Sequence, residues 1–487
     1  MLGVGARRPA RMAITLVLHQ LEHRRSARGA DAPEPTGRSR RPVRERLDFE
    51  GRGLAAEDRL ELCRRNDQSE KRGLQTILTN SEECPQSSPV LLVTVFKRIA
   101  LLFVLLLAAA GVAVATSSTA DSASGSSSAT YRTLQSGMLV GFYDDQQVYG
   151  RTDWAFRELR TLRAGILRIT IDWANVAKRR PARPANPADP AYDWTAVDNI
   201  VAQAAENKVR VLATIYGTPR WAGRAKNRLP RRVSDLRSFA SAAAWRYRGN
   251  YRVAEKENEP ERVLPAVRYW LAWNEPNNPI FLKPQWKLHR GKWRPQSAFD
   301  YAKICSAVWT GIHATRIPGE KVGCGATGPR GNNAPRSSRP STSPLVFMTW
   351  LRRAGLKRFD AYAHHPYYGS RFEKPSTAPS SKNAVTLGNI GVLIKQLNRT
   401  FGRNKRLWLT EYGYQTRPPD RAFGVAYSSQ AKYVHQAFAI ARKTRRIDML
   451  VWFLVRDERR LSGWQSGVVS ASGKRKPAFR AFQLLRR

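Results

Sequence analysis

From about Gln135 onward, this chain of 487 residues alternates short apolar runs with longer stretches of helical periodicity, eight times over. The strand candidates are Met138–Tyr143, Ile166–Asp172, Val209–Tyr216, Val267–Trp273, Val322–Ala326, Ala361–His365, Leu407–Thr410 and Met449–Leu454. Between and after them come helix candidates at Trp154–Ala164, Trp194–Asn207, Leu236–Tyr247, Ala298–Thr315, Leu345–Ala354, Leu387–Phe401, Ser428–Thr444 and Ala478–Leu485. Eight such pairs over ~350 residues suit an α/β fold, a closed (β/α)8 barrel with loop insertions; a doubly wound open sheet is the rival. Two segments read as insertions, Ala222–Arg232 and Gly328–Ser343, both basic and both directly after a strand. In a barrel they decorate the C-terminal face, where active sites are built.

What precedes residue 135 is different in kind. Phe96-Lys97-Arg98 leads into an uncharged apolar run, Ile99 to Ala115, that ends in small residues. A basic start, an apolar centre and a small-x-small end describe a secretory signal peptide over 93–115, with an uncleaved membrane anchor as the alternative. Residues 1–92 are Arg-rich and without sustained periodicity: either upstream sequence translated from a mistaken start, the true one lying near Val93 or Val95, or a disordered cytoplasmic tail. Residues 116–135 form a Ser/Ala-rich linker, and 136–487 the barrel. The expected location is extracellular or the cell envelope.

The formal net charge is +45, and residues 1–90, with 17 Lys+Arg against 13 Asp+Glu, hold little of it. The barrel is therefore basic. Such a surface suits contact with an anionic polymer, or is an Arg-rich style with no specific partner. No zinc-finger spacing, helix-turn-helix pattern or interleaved aromatics accompany the charge, so specific nucleic-acid binding is not expected. Of four cysteines none forms a C-x-x-C pair; Cys305 and Cys324, both in the barrel, are either a disulfide or two buried thiols.

The chemistry concentrates at two strand ends. Tyr269-Trp270-Leu271-Ala272-Trp273-Asn274-Glu275-Pro276-Asn277 and Leu407-Trp408-Leu409-Thr410-Glu411-Tyr412-Gly413 each deliver one glutamate from an apolar strand, followed by a strand breaker. Two carboxyls on opposite sides of an anomeric carbon are what retaining glycoside hydrolysis needs: one protonates the leaving oxygen and the other attacks. The bland alternative is a pair of ordinary strand-end salt bridges.

These segments resemble glycoside hydrolase clan A, whose acid/base follows an Asn on strand 4 and whose nucleophile ends strand 7. The resemblance extends from about Gly137 to Phe482 and is compatible with both the family 5 and the family 39 types. It implies Glu275 as acid/base and Glu411 as nucleophile of a retaining enzyme, most simply a β-glycosidase. It further implies that Arg168, in the strand ending Asp172-Trp173, buttresses the nucleophile, and that Asn274 reaches the sugar 2-hydroxyl. His364-His365-Pro366-Tyr367 resembles the clan's His-x-Tyr; the spacing favours His365, with Tyr367 on the nucleophile. Trp173, Trp221 and Trp452 are candidates for sugar-binding aromatics, with Trp221 equally readable as loop packing and Trp452 as core. The partner expected is a carbohydrate substrate, with membrane contact only if the apolar segment is uncleaved. Neither a cofactor nor a metal is implied. A carbohydrate- or polyanion-binding barrel without turnover is the competing function.

Overall fold

The computed structural model describes residues 137–253 and 261–485. The expected N-terminal extension, the apolar run read as a signal peptide or anchor, and the expected linker lie outside the described residues.

Eight parallel strands close into one barrel, ordered around it as in the sequence, with the last pairing back on the first. They are β1 (Leu139–Tyr143), β2 (Ile166–Asp172), β3 (Arg210–Tyr216), β4 (Tyr269–Ala272), β5 (Lys321–Thr327), β6 (Ala361–His364), β7 (Arg406–Tyr412) and β8 (Ile447–Phe453). The open-sheet rival is excluded by the closing pair, Leu139↔Met449 through Tyr143↔Phe453. Each strand is followed by a helix: α1 (Thr152–Thr161), α2 (Thr195–Glu206), α3 (Val233–Arg246), α4 (Gln296–His313), α5 (Pro344–Arg353), α6 (Ile390–Phe401), α7 (Tyr427–Lys443) and α8 (Pro477–Gln483). Pro344 and Pro477 open their helices at the one place where a missing N–H costs nothing.

The strands are apolar throughout because both faces are covered. In β2 every residue is buried. Leu167, Ile169 and Ile171 turn outward into the layer under the helices, while Ile166 joins an inner cluster with Leu212, Leu271, Trp408, Met449 and Val451. The helices supply the other half of the outer layer; in α6, Ile390, Leu393 and Leu397 form the inward stripe. α4 is fastened to the barrel by the Tyr301 hydroxyl, which donates to Ala272 O at 2.7 Å and accepts from Gly325 N at 2.7 Å, and by a disulfide that joins Cys305 to Cys324 of β5.

Three details depart from the sequence reading. β7 runs on through Glu411 to Tyr412, and Leu387–Asn389 is a separate 3-10 turn before α6. A hairpin, Lys287–His289 paired with Lys292–Arg294, projects from the connection between β4 and α4. Its turn places Arg290 and Gly291 at φ 50° and 71°, and the glycine accepts that left-handed backbone without a side-chain clash.

Candidate active site

The ends of β4 and β7 bring the two glutamates together at the C-terminal mouth of the barrel. A carboxylate oxygen of Glu275, one of Glu411 and a ring nitrogen of His365 all lie within 4.8 Å of one another. All three residues are buried. The strand ends are shaped for this. On β7 the register with β8 shifts between Leu409 and Tyr412, so the parity of the strand breaks at Thr410-Glu411. Both of these residues reach the groups in the barrel mouth, whereas Tyr412 returns to the outer layer. Such a bulge re-aims a side chain that regular alternation would send outward. Just past β4, Trp273 and Glu275 both take positive φ, 68° and 33°, a strained backbone of the kind found at functional sites.

Arg168 is the hub on the Glu411 side. It is fully buried, and its Nη1 donates to Glu411 Oε1 at 2.7 Å and to Thr410 O at 3.0 Å. Its Nε donates to Thr214 Oγ1 at 3.0 Å and its Nη2 to Asn274 Oδ1 at 2.7 Å. The Tyr143 ring lies 4.3 Å beneath the guanidinium carbon. Tyr367 completes the shell by donating to Glu411 Oε2, 3.1 Å. Burial first, then the nearby carboxylates, hold the Tyr367 hydroxyl well above its ordinary pKa, so it stays a donor.

Glu275 is held differently. Its backbone N–H donates to Ala326 O at 2.9 Å, pinning the β4 end to β5. Asn278 Nδ2 donates to Oε2 at 3.1 Å, and His365 Nδ1 lies 3.0 Å from Oε1. Nε2 of that imidazole faces Arg168 Nη1 at 3.3 Å. Arginine has no acceptor, so Nε2 offers its lone pair and Nδ1 carries the hydrogen that Glu275 accepts. His365 thus spans the two carboxylates, with Glu411 Oε2 3.6 Å from the same Nδ1. Gly328 makes this close fit possible, since a Cβ there would sit 3.0 Å from the Glu275 carboxyl carbon. His364 turns away: its Nε2 donates to Val385 O at 3.0 Å, its Nδ1 pairs with Thr327 Oγ1, and burial pushes its pKa down to about 3. Glu275, His365 and Glu411 have the spacing of a cation site, but Arg168 already places a positive charge against Glu411.

Of the three tryptophans, Trp173 is corrected by its full burial, and Trp221 and Trp452 take the packing readings that the sequence left open for them. Trp452 is buried in the outer layer, its Nε1 donating to Ser466 O at 2.8 Å and its ring edge-on to Phe482. The next residue, Phe453, points inward and packs with Trp464, whose ring also meets Tyr367 at 5.3 Å. In a strand the faces alternate, so an assignment off by one residue lands on the wrong face. Trp173 follows the outward parity of Leu167, Ile169 and Ile171; it stacks on Phe239 and has no exposed surface to offer a sugar. Trp221 meets Trp173 edge-on, donates to Ala177 O at 2.7 Å and lies under Arg180, which makes it loop packing. Phe453, Trp464, Thr410 and Asn278 are the site residues missed; counting parity inward from Met449 and Val451 would have found the first.

Asn277 organises the neighbouring loop. Its Nδ2 donates to the carbonyls of Gly328, Arg330 and Thr342, at 3.2, 3.2 and 2.9 Å, and its Oδ1 accepts from Gly328 N. Glu275 looks out onto a cavity of about 750 Å³ that this loop helps to wall.

No family model and no curated protein matches the sequence of this chain. Solved structures do match in shape. A glucosidase from Croceicoccus marinus superposes with a TM-score of 0.52 at 14% identity, over 72% of this chain and 67% of that one. The barrel is shared with glycoside hydrolases. A family 39 glycoside hydrolase from Bacteroides cellulosilyticus gives 0.50 at 16% identity, over 72% of this chain and 63% of that one, so this chain spans less than two thirds of that protein. These are barrel enzymes of the kind the strand-end motifs resemble, and at such identities the likeness is one of fold.

Proposed function

We propose that the protein is a retaining glycoside hydrolase, a β-glycosidase or β-glycanase that works by double displacement. The observation that carries this reading is the meeting of Glu275 and Glu411 within 4.8 Å, against the ~5–5.5 Å carboxyl separation of retaining enzymes. In the first step Glu411 attacks the anomeric carbon as the bond to the leaving oxygen breaks, and Glu275 gives that oxygen its proton. In the second, Glu275, now a carboxylate, takes a proton from water as the water oxygen displaces Glu411. Arg168 and Tyr367 keep both Glu411 oxygens hydrogen-bonded, fixing the nucleophile's direction. Asn274 gives its oxygen to Arg168, which leaves its amide N–H groups to meet a sugar hydroxyl. Phe453 and Trp464 provide the apolar surface against which a ring can pack.

The test is an aryl β-glycoside panel with a 2-fluoro glycoside trap. Trapping adds one sugar mass to the peptide that holds Glu411, and anomeric NMR reads retention in the first-formed product. A label on any other residue, or inversion, sinks the reading. Export to the envelope or medium is part of the proposal, supported by the apolar run after Lys97-Arg98 and by the Cys305–Cys324 disulfide, which suits an oxidising compartment. Cell fractionation and mass spectrometry of the mature N-terminus test it; peptides from before residue 93 in the secreted protein would overturn a cleaved signal.

A further inference from the structure

The hairpin after β4 is built inside out. In an antiparallel pair directly opposed residues share a face, and the usual arrangement turns apolar residues to the protein and charges to water. Here Lys287↔Arg294 and His289↔Lys292 lie on one face and Leu288↔Trp293 on the other. The basic face is the one that meets the body. The Arg294 guanidinium carbon stands 4.8 Å from the ring centroid of Phe299 on α4, and Lys287 acts on the carboxylate of Asp300 beside it. The apolar pair is turned away, and Leu288 and Trp293 keep 52% and 40% of their surface exposed. Neighbouring apolar side chains left in water and rimmed by polar ones mark a contact surface.

A second tip stands on the same side of the mouth. Phe372, in the loop after β6, is 78% exposed, with the Arg371 guanidinium 4.9 Å from its ring and the exposed Lys374 two residues on. Glu373, between them, turns inward to accept from Gly369 N at 2.7 Å. The two tips flank one opening. Trp286, at the foot of the hairpin, lines a cavity of about 590 Å³. Gly369, Ser370 and Glu373, around Phe372, line the 750 Å³ cavity before Glu275, and the two cavities share Pro279, Ser338 and Arg339.

Charge and shape choose the partner. From Lys283 to Gln296 the sequence places Lys283, Lys287, Arg290, Lys292 and Arg294 with no Asp or Glu, so the segment's own charge favours an anionic partner. A sugar is held in a concavity, whereas these side chains stand on projecting tips, and Leu288 lacks the flat ring on which a sugar stacks. Trp, Phe and Leu beside Lys and Arg match a bilayer interface: the apolar groups enter the acyl boundary and the cations meet anionic headgroups. We propose that this rim of the barrel mouth docks on an anionic lipid bilayer through Leu288, Trp293 and Phe372, with Arg290, Lys292 and Lys374 on the headgroups. Docking turns the opening before Glu275 toward that surface. The inference goes beyond the glycosidase reading and stands without it, as it does without any insertion of the apolar run Ile99 to Ala115.

The experiment uses the full chain with vesicles of phosphatidylcholine, alone or with about one-third phosphatidylglycerol, and reads amide hydrogen exchange peptide by peptide at physiological salt. A local readout separates the rim from whatever the apolar run does. On the anionic vesicles, relative to the neutral ones, the peptides that hold Leu288–Trp293 and Phe372 should exchange at least fivefold more slowly, while those of α6 are unchanged. Each variant is read at the other tip, so that a loosened hairpin does not imitate lost docking. Leu288→Ser/Trp293→Ser should bring the slowing at Phe372 below twofold. Phe372→Ser, on a separate loop, should remove at least half of the slowing in the hairpin on a logarithmic scale. Equal exchange on the two kinds of vesicle overturns the proposal, as does slowing that survives both variants. Equal slowing by a soluble hyaluronan hexasaccharide in place of vesicles also overturns it and assigns the rim to acidic glycans. Absence of turnover on every aryl glycoside would instead sink the glycosidase reading and leave the docking result standing.

Discussion

The two glutamates sit within 4.8 Å of one another in opposite surroundings. Glu411 is locked into the barrel: its oxygens meet a buried guanidinium and a buried phenol, and the aromatic wall of Tyr367, Trp464 and Phe453 closes around them. Glu275 meets the Asn278 amide and the His365 imidazole and opens onto a loop-walled cavity. The difference follows the demands of the chemistry. A nucleophile gains from a fixed direction of attack, while a group that trades a proton with a departing molecule needs space for that molecule to leave.

The sharpest way to break this comparison is to remove each carboxylate in turn. Glu411→Gln should lower kcat by at least ~10⁴-fold on every substrate, because no other group can form the covalent intermediate. Glu275→Gln should cost ~10²–10⁴-fold on substrates with poor leaving groups, but much less in the first step when a dinitrophenolate departs without help. Burst kinetics distinguish the two, and equal losses on both substrate types would end the division of roles.

Next in size is Arg168→Met, which leaves Glu411 buried without its partner. Breaking a buried pair from one side costs about 3–5 kcal/mol, readable as a lower midpoint in urea, together with a kcat loss that raised substrate does not restore. On the open side, Asn278→Ala removes one hydrogen bond to Glu275 and should cost only about 1 kcal/mol. A larger cost for Asn278 than for Arg168 would reverse the contrast.

The β8 register offers a third comparison. Trp452→Ala should destabilise by about 3–5 kcal/mol, as a large buried side chain in the outer layer, with KM unchanged in whatever protein remains folded. Phe453→Ala should raise KM, since its ring faces the barrel mouth. If KM responds to Trp452 and not to Phe453, the assigned faces are wrong.

The smallest expected effect reads the loop after β8, which carries Trp464. Burial raises the Glu458 carboxyl to about 7, and its Oε2 accepts from Trp464 N at 3.2 Å. A carboxyl raised in the folded state favours folding at low pH, and that contribution is lost as pH rises from about 4.5 through 7. Glu458→Gln keeps the acceptor and removes the titration. Its Tm, relative to wild type, should therefore improve between pH 5 and 7 and level off above; a constant difference would show that Glu458 does not titrate in that range.

Much of the barrel was legible because its signals are local. The eight apolar runs and the breakers after Glu275 and Glu411 lie within single segments, and Ile166–Asp172 matches the observed β2 to the residue. The tryptophans failed for a reason equally local: Trp173 and Trp452 were read by residue type and nearness to a motif, when alternation from Ile166 or Met449 puts both outside. Other features depend on residues far apart in sequence. Thr410 matters because His365 Nε2 lies 3.0 Å from its hydroxyl, across 45 residues, and the cavity before Glu275 forms where the segments after β4, β5 and β6 meet. Periodicity carries no trace of such meetings.

The loops that follow β3, β4 and β5 are stitched to one another. Asn277 clasps the loop after β5, Asn227 Nδ2 reaches back to Ile280 O at 3.0 Å, and Lys283 N donates to Asn227 O. The acid's side of the mouth is thus a cassette with shared seams. Moving one loop to a related barrel would tear those seams, whereas transplanting all three together would keep them closed.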